Sequence, residues 1–249
     1  MDVFEGNIKN MNLGAITLLD ILGWKGIWQR KSNAVEDLLH MLNGIDKKIE
    51  ALLKKDKIKN HENTFKNLKI EVKSISDTIA LVTYGDCNPC LEFHAIMSNL
   101  IITTSIRKGI PVRGATCYGY FTTQNNIMVG PAVDEVASWY EQADWIGVIL
   151  TPSALFQIDM EKFTHKKRLK LYNAPIKQYG RFETYCCNWP YVWDFNKYDK
   201  SELLKLFLEM GPITPNIFQK FANTIDFYDK FLDLEKELTE QLTAATRAD

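Results

Sequence analysis

The chain lacks an apolar run long enough to cross a bilayer, which needs about 20 consecutive apolar residues, so we expect no membrane span. It also lacks an excess of either charge, since 30 Lys and Arg residues face 31 Asp and Glu residues, for a net charge of -1. Without a strong positive field, nucleic acid is not expected as the main partner. A small anionic ligand needs only a few local cations and is compatible with this balance. The first residues, MDVFEGNIKNMNLG, contain no apolar segment of the secretory type, so we expect a cytoplasmic protein.

Cysteine and histidine are scarce. The odd number of cysteines, five, favours a reducing compartment over a disulfide framework. CNPC (Cys87 to Cys90) has the spacing of a zinc half-site or a redox pair, but the adjacent Cys186 and Cys187 lack the spacing of a second half-site. A turn around Pro89 with two incidental thiols is therefore the favoured interpretation. The four histidines form no H-x-x-x-H pattern, and a histidine-based catalytic site is not expected.

The sequence does contain alternating β-type and helical patterns. GAITLLDI is a short apolar run typical of a buried strand, and the residues from Leu38 to Leu53 have helical apolar spacing. LKIEVKSI and TIALVTYG are separated only by Ser76 and Asp77, which predicts a hairpin. RLKLYNAPIK and RFETYCCNWPYVW are interpreted as later strands, and the chain from Ser201 onward as helical. Helices alternating with antiparallel hairpins predict an α+β domain.

Two aspartates stand at the ends of predicted strands. Asp20 ends an apolar run, and Asp77 interrupts the predicted hairpin. An unpaired carboxylate beside a buried strand is costly, and two that converge repel each other unless a cation lies between them. Hard divalent ions such as Mg²⁺ take carboxylates together with phosphate oxygens. The residues alone leave two interpretations open: a metal site, or two carboxylates that cap turns or helices.

The segments around these aspartates resemble class III nucleotidyl cyclases. LLDILGWKGI resembles the first metal-binding motif of that family, and VKSISDTIAL resembles the second, with Ser76 where the family usually has glycine. IPVRGATCYGYF resembles the next strand, and MVGPAVDEVASWYEQADWIGV resembles the helix that carries the transition-state residues. The likeness is strongest to the bacterial Pycsar antiphage cyclases and covers roughly Gly14 to Thr151.

The resemblance implies a fold and an assembly. The fold would be α+β and class III adenylate/guanylate cyclase-like, with a ferredoxin-like βαββαβ core, helices on the faces of an antiparallel sheet, and a C-terminal helical extension. Residues 1–160 would form the catalytic core, and residues 161–249 would add the remaining strands and the helical extension of the same domain. The protein would be a head-to-tail homodimer with composite active sites.

The resemblance also implies a reaction. Asp20 and Asp77 would be catalytic and would hold two Mg²⁺ or Mn²⁺ ions, with the Ile21 carbonyl as a further metal ligand. The substrate would be UTP or CTP, and the products the 3′,5′-cyclic monophosphate and pyrophosphate, by two-metal phosphoryl chemistry. In a Pycsar-type antiphage defence, the cyclic nucleotide would act on a separate effector.

Three further residues are candidates for substrate binding. Lys73 stands where purine-specific relatives place a base-contacting lysine, and it is either a base reader or an exposed strand lysine. Arg113 could contact the base or a phosphate through its planar fork, or form a structural salt bridge. Asp134 and Ser138 stand where the family usually has an asparagine and an arginine, so the transition-state arginine is missing. Seven residues before Asp134 lies Ile127, which cannot hydrogen-bond a purine edge.

Two alternatives to a pyrimidine cyclase stay open. Lys73 is compatible with a purine (adenylate or guanylate) cyclase that has a divergent base pocket, although Ile127 argues against it. The missing arginine is compatible with a degenerate cyclase-like domain that binds nucleotide without turnover. The two retained aspartates argue against that last alternative, because a binding domain has no need of two metal carboxylates.

Overall fold

The described residues form an eight-stranded sheet with helices on its faces in the computed structural model, which describes residues 11–24, 27, 31–59, 64–125 and 127–245. The strands are β1 (Asn12–Ile21), β2 (Lys69–Ile75), β3 (Thr78–Tyr84), β4 (Val112–Gln124), β5 (Ile127–Val129), β6 (Val148–Leu150), β7 (Leu169–Ile176) and β8 (Gly180–Cys187). The helices are α1 (Ala34–Lys59), α2 (Cys87–Arg107), α3 (Pro131–Trp139), α4 (Pro152–Gln157), α5 (Trp189–Phe195), α6 (Lys200–Glu209) and α7 (Pro215–Ala245). None of the helices in these ranges is both long and apolar enough to span a membrane.

The strand order is β2-β3-β1-β4-β6-β8-β7, and β5 pairs with β4. Neighbouring strands are antiparallel except for β4 and β6, which are parallel. The chain from β1 to β4 runs β-α-β-β-α-β with β1 between β3 and β4, which confirms the predicted ferredoxin-like core. The predicted α+β class, with helices on the faces of the sheet and helices at the C-terminal end, is confirmed as well.

The central strand β1 is buried on both faces, which accounts for its continuous apolar sequence. Every residue from Gly14 to Leu19 is buried, because α2 packs on one face of the sheet and α3 on the other. Neighbouring backbones approach closely at Gly14, where a Cβ atom would come within 1.9 Å of the Thr83 carbonyl oxygen. The strand therefore has no freedom to shift against its neighbours.

A buried polar contact ties α2 to the three central strands. The Nδ1 atom of His94 lies 2.6 Å from the Thr17 hydroxyl of β1, and its Nε2 atom lies 3.0 Å from the Thr83 hydroxyl of β3. The Thr116 hydroxyl of β4 joins the group through Thr17 at 2.7 Å. Burial lowers the pKa of His94 to about 3, so the imidazole is neutral in the folded protein.

The C-terminal elements complete the sheet and cover one end of it. Strand β8 pairs with β6, and α7 packs against the segment that precedes β6 through Phe227, whose ring centroid lies 4.2 Å from that of Trp145. The Trp189 indole N–H donates to the Ile146 carbonyl at 3.0 Å. Residues after position 160 therefore share one core with the strands before them.

The interpretation of RFETYCCNWPYVW as a single strand is wrong in its second half. Strand β8 ends at Cys187, and Trp189–Phe195 is helix α5, with Pro190 in its first turn, where proline is favoured. Trp189 and Trp193 are four residues apart and both buried, so the helix places the two rings on one apolar face. Burial of this face outweighs the β preference of aromatic residues.

We expect acid to destabilise the fold through His94. The pKa of His94 is lower in the folded protein than in the unfolded chain, so below pH 6.5 protons bind the unfolded chain preferentially. The contribution of His94 to folding stability is therefore complete above pH 6.5 and is lost progressively as pH falls toward 3. Between pH 6 and 5, the free energy of unfolding measured in urea should fall by about 1 kcal/mol per pH unit because of His94. His94→Gln should lower stability at pH 7.5 and flatten this slope. The exposed His40→Gln is the control, and an unchanged slope in His94→Gln would contradict the assignment.

Candidate active site

Antiparallel pairing brings Asp20 and Asp77 to the same edge of the sheet. Asp20, near the end of β1, pairs with Thr78 on β3 and with Arg113 on β4. Asp77 immediately precedes β3, and the Ile21 amide donates to its carbonyl at 3.2 Å. The two aspartates are therefore neighbours across two adjacent strands, as the predicted convergence requires.

The turn that carries Asp77 has an unusual backbone. Strands β2 and β3 are joined by only two residues, Ser76 and Asp77, and Ser76 has a φ of 57°. This left-handed conformation is natural for glycine and unfavourable for a residue with a Cβ atom. The sequence thus departs from glycine at a position where the backbone favours it.

Arg113 binds Asp20 directly. Its Nε and Nη2 atoms lie 2.9 Å and 2.8 Å from Oδ2 of Asp20, and its Nη1 donates to the Ala143 carbonyl at 3.4 Å. A second carboxylate, Glu141, lies 3.9 Å from Nη2. Only 6% of Arg113 is exposed, so the guanidinium is held in place at the bottom of the site.

The site concentrates negative charge around Asp20. Burial raises the pKa of Asp20, Arg113 opposes this rise, and Glu141 and Asp77 add repulsion that raises the pKa further. Three carboxylates are therefore in electrostatic range of one another. No cluster of three or more metal-ligating side chains is formed by the described part of the chain alone. The available donors are carboxylate oxygens and the Ile21 carbonyl, which accepts a long hydrogen bond of 3.4 Å from Trp24.

Two residues that the sequence reasoning missed, Glu141 and Lys177, belong to this site. The Tyr140 hydroxyl donates to Glu141 at 2.8 Å, and burial, followed by this hydrogen bond and the charge of Glu141, raises the pKa of Tyr140 to about 12. Burial lowers the pKa of Lys177, and the nearby Arg113 and Lys220 lower it further. Glu141 stands in the quoted WYEQAD segment, whereas Lys177 lies in the turn between β7 and β8 and has no local signal.

Backbone contacts position Lys177 beside the central strands. Its amide donates to the Gln142 carbonyl at 2.9 Å, and Ile176 forms a β-bridge with Ala143. These contacts bring the β7–β8 turn next to the segment that also supplies the Ala143 carbonyl to Arg113. Arg113 therefore lies close enough to Lys177 for its charge to lower the pKa of the lysine.

Lys73 and Asp134 lie away from this cluster within one chain. The Lys73 ammonium donates to the Asn125 carbonyl at 3.2 Å and pairs with Glu71 at 3.4 Å, between the β2–β3 and β4–β5 hairpins. Asp134 is exposed in the first turn of α3, a turn that is held over β4 by the Cys117 thiol, which donates to the Ala132 carbonyl at 3.0 Å.

The separation of Asp134 from the aspartate pair follows from the strand register. Cys117 lies four residues along β4 from Arg113, the partner of Asp20, which corresponds to about 13 Å. Ser138, one turn further along α3, donates its hydroxyl to the Asp134 carbonyl at 2.8 Å. The first turn of α3, which carries Asp134, therefore lies away from the Asp20 level of its own chain, whereas the chain just after α3 reaches Arg113 through Glu141.

The CNPC thiols have no role in this site. Cys87 and Cys90 stand in the first turn of α2 rather than in a separate turn around Pro89, and both are free. Burial raises the pKa of Cys87 to about 12 and that of Cys90 to about 11. Both thiols are therefore protonated at neutral pH, and neither is a metal ligand or a nucleophile in this state.

The chain matches no protein-family model and no curated protein sequence. Solved structures with similar backbones include the catalytic core of a rhodopsin-guanylyl cyclase of converted specificity in complex with ATPalphaS, at 17% identity and a TM-score of 0.41, covering 71% of this chain and 95% of that one. Adenylate cyclases from Trypanosoma brucei in their monomeric state have 12% identity and a TM-score of 0.46, covering 71% and 88%. A bacterial light-regulated adenylyl cyclase has 10% identity and a TM-score of 0.44, covering 81% and 58%. At these identities and TM-scores, the likeness carries no argument about activity.

We expect Ser76→Gly to stabilise the protein, because glycine adopts a positive φ without a Cβ clash. The free energy of unfolding should rise by up to about 1 kcal/mol, as measured by urea denaturation. Ser74→Gly is the matched control, since Ser74 is also exposed but lies within strand β2, where glycine should destabilise by about 0.5–1 kcal/mol. Equal effects of the two substitutions would show that the turn at Ser76 is not strained.

Proposed function

We propose that this chain is a pyrimidine nucleotide cyclase, which converts UTP or CTP to the 3′,5′-cyclic monophosphate and pyrophosphate. The observation that carries the proposal is the meeting of Asp20 and Asp77 at one sheet edge, with Arg113 and Lys177 beside them. Two carboxylates next to two cations suit a metal-bound triphosphate, since the carboxylates hold divalent ions and the cations bind phosphate oxygens.

The donor set fits Mg²⁺ or Mn²⁺. Asp20, Asp77 and the Ile21 carbonyl are the residues that would hold the ions, and Mg²⁺ is commonly bound by only one or two carboxylates together with substrate phosphates. The mutual repulsion that raises the pKa of Asp20 is a charge pattern that a divalent ion relieves. Bound ions would supply charge neutralisation of the triphosphate and activation of the 3′-hydroxyl, as in other two-metal phosphoryl-transfer enzymes.

Arg113 and Lys177 are proposed to bind the phosphates. The Arg113 guanidinium contacts the Ala143 carbonyl and both the Asp20 and Glu141 carboxylates. It would therefore stay in the site when the Asp20 carboxylate binds a metal ion. Glu141 keeps the guanidinium near the position it has now. Lys177 adds a second positive charge at the site, which the missing arginine of α3 would otherwise supply.

Lys73 is proposed to read the base. Its ammonium already donates to a carbonyl, that of Asn125, and the O2 or O4 atom of a pyrimidine is an acceptor of the same kind. Ile127, at the start of β5, is 63% exposed and offers no hydrogen bond to a purine edge. Together they favour a pyrimidine, and we favour UTP slightly over CTP.

A homodimer is proposed because one chain does not bring Asp134, in the first turn of α3, to the aspartates. The turn that carries Asp134 is held over Cys117, which lies about 13 Å along β4 from Arg113, the partner of Asp20, so a complete site would take Asp134 from a second copy. A head-to-tail pair of chains would then form two equivalent composite sites. We further propose that the cyclic product acts on a separate effector in a Pycsar-type antiphage defence, with the cyclase in the cytoplasm.

A nucleotide-binding domain without turnover is the second candidate, and one observation favours it. Arg113 places two of its nitrogen atoms on the same oxygen of Asp20, so this carboxylate already has a charged partner. With Ser138 in place of an arginine, the chain would then bind nucleotide but react slowly or not at all. A purine cyclase is the third candidate, because Lys73 could also contact a purine.

The product of the purified protein tests the proposal. Incubation with each of ATP, GTP, CTP and UTP in the presence of Mn²⁺ should give cyclic UMP or cyclic CMP, resolved by chromatography and mass spectrometry. Cyclic AMP or cyclic GMP as the main product would replace the pyrimidine assignment with the purine one. Binding of a nucleotide without any cyclic product would support the non-catalytic alternative.

Asp77→Asn and Asp20→Asn should each abolish turnover while the protein stays folded. Removal of one metal-binding charge should lower kcat by at least about 10²- to 10³-fold, comparable to the loss of an electrostatic donor at other active sites. Initial rates with UTP and Mn²⁺ and a circular dichroism melt would measure the two properties. Asp194→Asn, at an exposed aspartate of α5, is the matched control. Normal activity of Asp77→Asn would refute its assignment as a metal ligand.

A further inference from the structure

A polar pocket that shares no lining residue with the Asp20 site lies at the C-terminal end of α2. Its volume is about 430 Å³, within the range of roughly 300–1,000 Å³ that is typical of small-molecule sites. Lys48 of α1, Thr104, Arg107 and Lys108 at the end of α2, and Tyr198 after α5 form its polar wall. The pocket lies between α1, the end of α2, and α5 with the residues that follow it.

The charged side chains that line this pocket, among the described residues, are all positive. Three of its lining residues are cations, and none of the described residues that line it is Asp or Glu. The nearest paired carboxylate is Asp37, which Lys108 contacts at 3.3 Å but which also binds Lys31 at 2.8 Å. One carboxylate is therefore shared by two lysines, and in the part of the chain that the structure describes no carboxylate pairs with Lys48 or Arg107.

Lys48 is the cation for which the lack of a carboxylate partner in the described ranges is clearest. Its half-buried ammonium donates to the Thr104 hydroxyl at 2.5 Å, and no carboxylate lies within ion-pair distance in the described ranges. Burial lowers the pKa of Lys48 because no negative charge offsets the loss of solvation. Buried charges in proteins are ordinarily paired, so an unpaired ammonium facing a cavity is a place where an anion would be stabilised.

The compensation of a helix dipole accounts for Arg107 and Lys108 but not for Lys48. Arg107 and Lys108 stand at the C-terminal end of α2, where positive charge is favourable. Lys48 belongs to the middle of α1 and has no helix end to compensate. The Arg107 guanidinium lies over the ring of Tyr198, 4.5 Å from the centroid, and both residues line the pocket.

We propose that this pocket binds a small organic phosphate of nucleoside monophosphate size. The phosphate would contact Lys48, Arg107 and Lys108, because a phosphate offers the acceptors that ammonium and guanidinium groups bind best. The remaining volume is bounded by the side chains of Leu100, Val192 and Tyr198, which suit the less polar part of such a ligand. This site is separate from the proposed catalytic function and does not depend on it.

Binding of uridine 5′-monophosphate tests the proposal. Calorimetric titration is done with EDTA present, so that divalent ions do not recruit the ligand to Asp20 and Asp77. The wild-type protein and Asp77→Asn should bind it equally, and inorganic phosphate should compete. Uridine, which has no phosphate, should not bind. Affinity should decrease as NaCl is raised, because the contacts are between charges.

The variants separate this pocket from any other site. Lys48→Met should weaken binding about tenfold or more, since it removes a hydrogen bond to a charged group, and Lys48→Arg should recover part of the affinity. Lys47→Met, the exposed neighbour on α1, is the matched control and should bind normally. Arg107→Gln should weaken binding as well. The proposal is overturned if the wild-type protein binds neither uridine 5′-monophosphate nor phosphate, or if Lys48→Met and Arg107→Gln bind like the wild type.

Discussion

The pairing of β1 on both sides is the constraint on which the rest of the structure depends. Strands β3 and β4 pair with it in fixed registers, and these registers place Thr78 and Arg113 beside Asp20. A shift of one residue would turn every side chain of β1 to the opposite face of the sheet, which would break the Thr17–His94 hydrogen bond and place a residue with a Cβ atom against the Thr83 carbonyl in place of Gly14. The aspartate pair and the Arg113 contact are therefore consequences of how a buried strand fits between its neighbours.

Charge balance distinguishes the two polar regions of the molecule. At the sheet edge, carboxylates accumulate around Asp20, and Arg113 offsets only part of their repulsion. At the end of α2 the unpaired charge is positive, since Lys48 and Arg107 lack a carboxylate partner among the described residues. Each region leaves one sign of charge uncompensated beside a partly buried surface. Ligands of the opposite sign, a divalent cation in the first and a phosphate in the second, would restore the balance.

The C-terminal elements contribute to the site as well as to the core. The β7–β8 turn carries Lys177, and the bridge between Ile176 and Ala143 holds the segment whose carbonyl contacts Arg113. Helix α7 packs on Trp145, a few residues further along that segment. The packing of aromatic rings at this end of the sheet thus supports the position of a guanidinium at the site, although the two lie in different parts of the sequence.

Local patterns in the sequence determined the strands, the β2–β3 hairpin, the α+β class and the choice of Asp20 and Asp77 as a pair. Apolar periodicity and turn spacing are properties of short segments, so they can be recognised without knowledge of the tertiary structure. Only the tertiary structure decided that Arg113 binds Asp20, that Glu141 and Lys177 join them, and that WPYVWDF is a helix. Arg113 and Asp20 are 93 residues apart, and such contacts arise from strand register and burial, which no local pattern specifies.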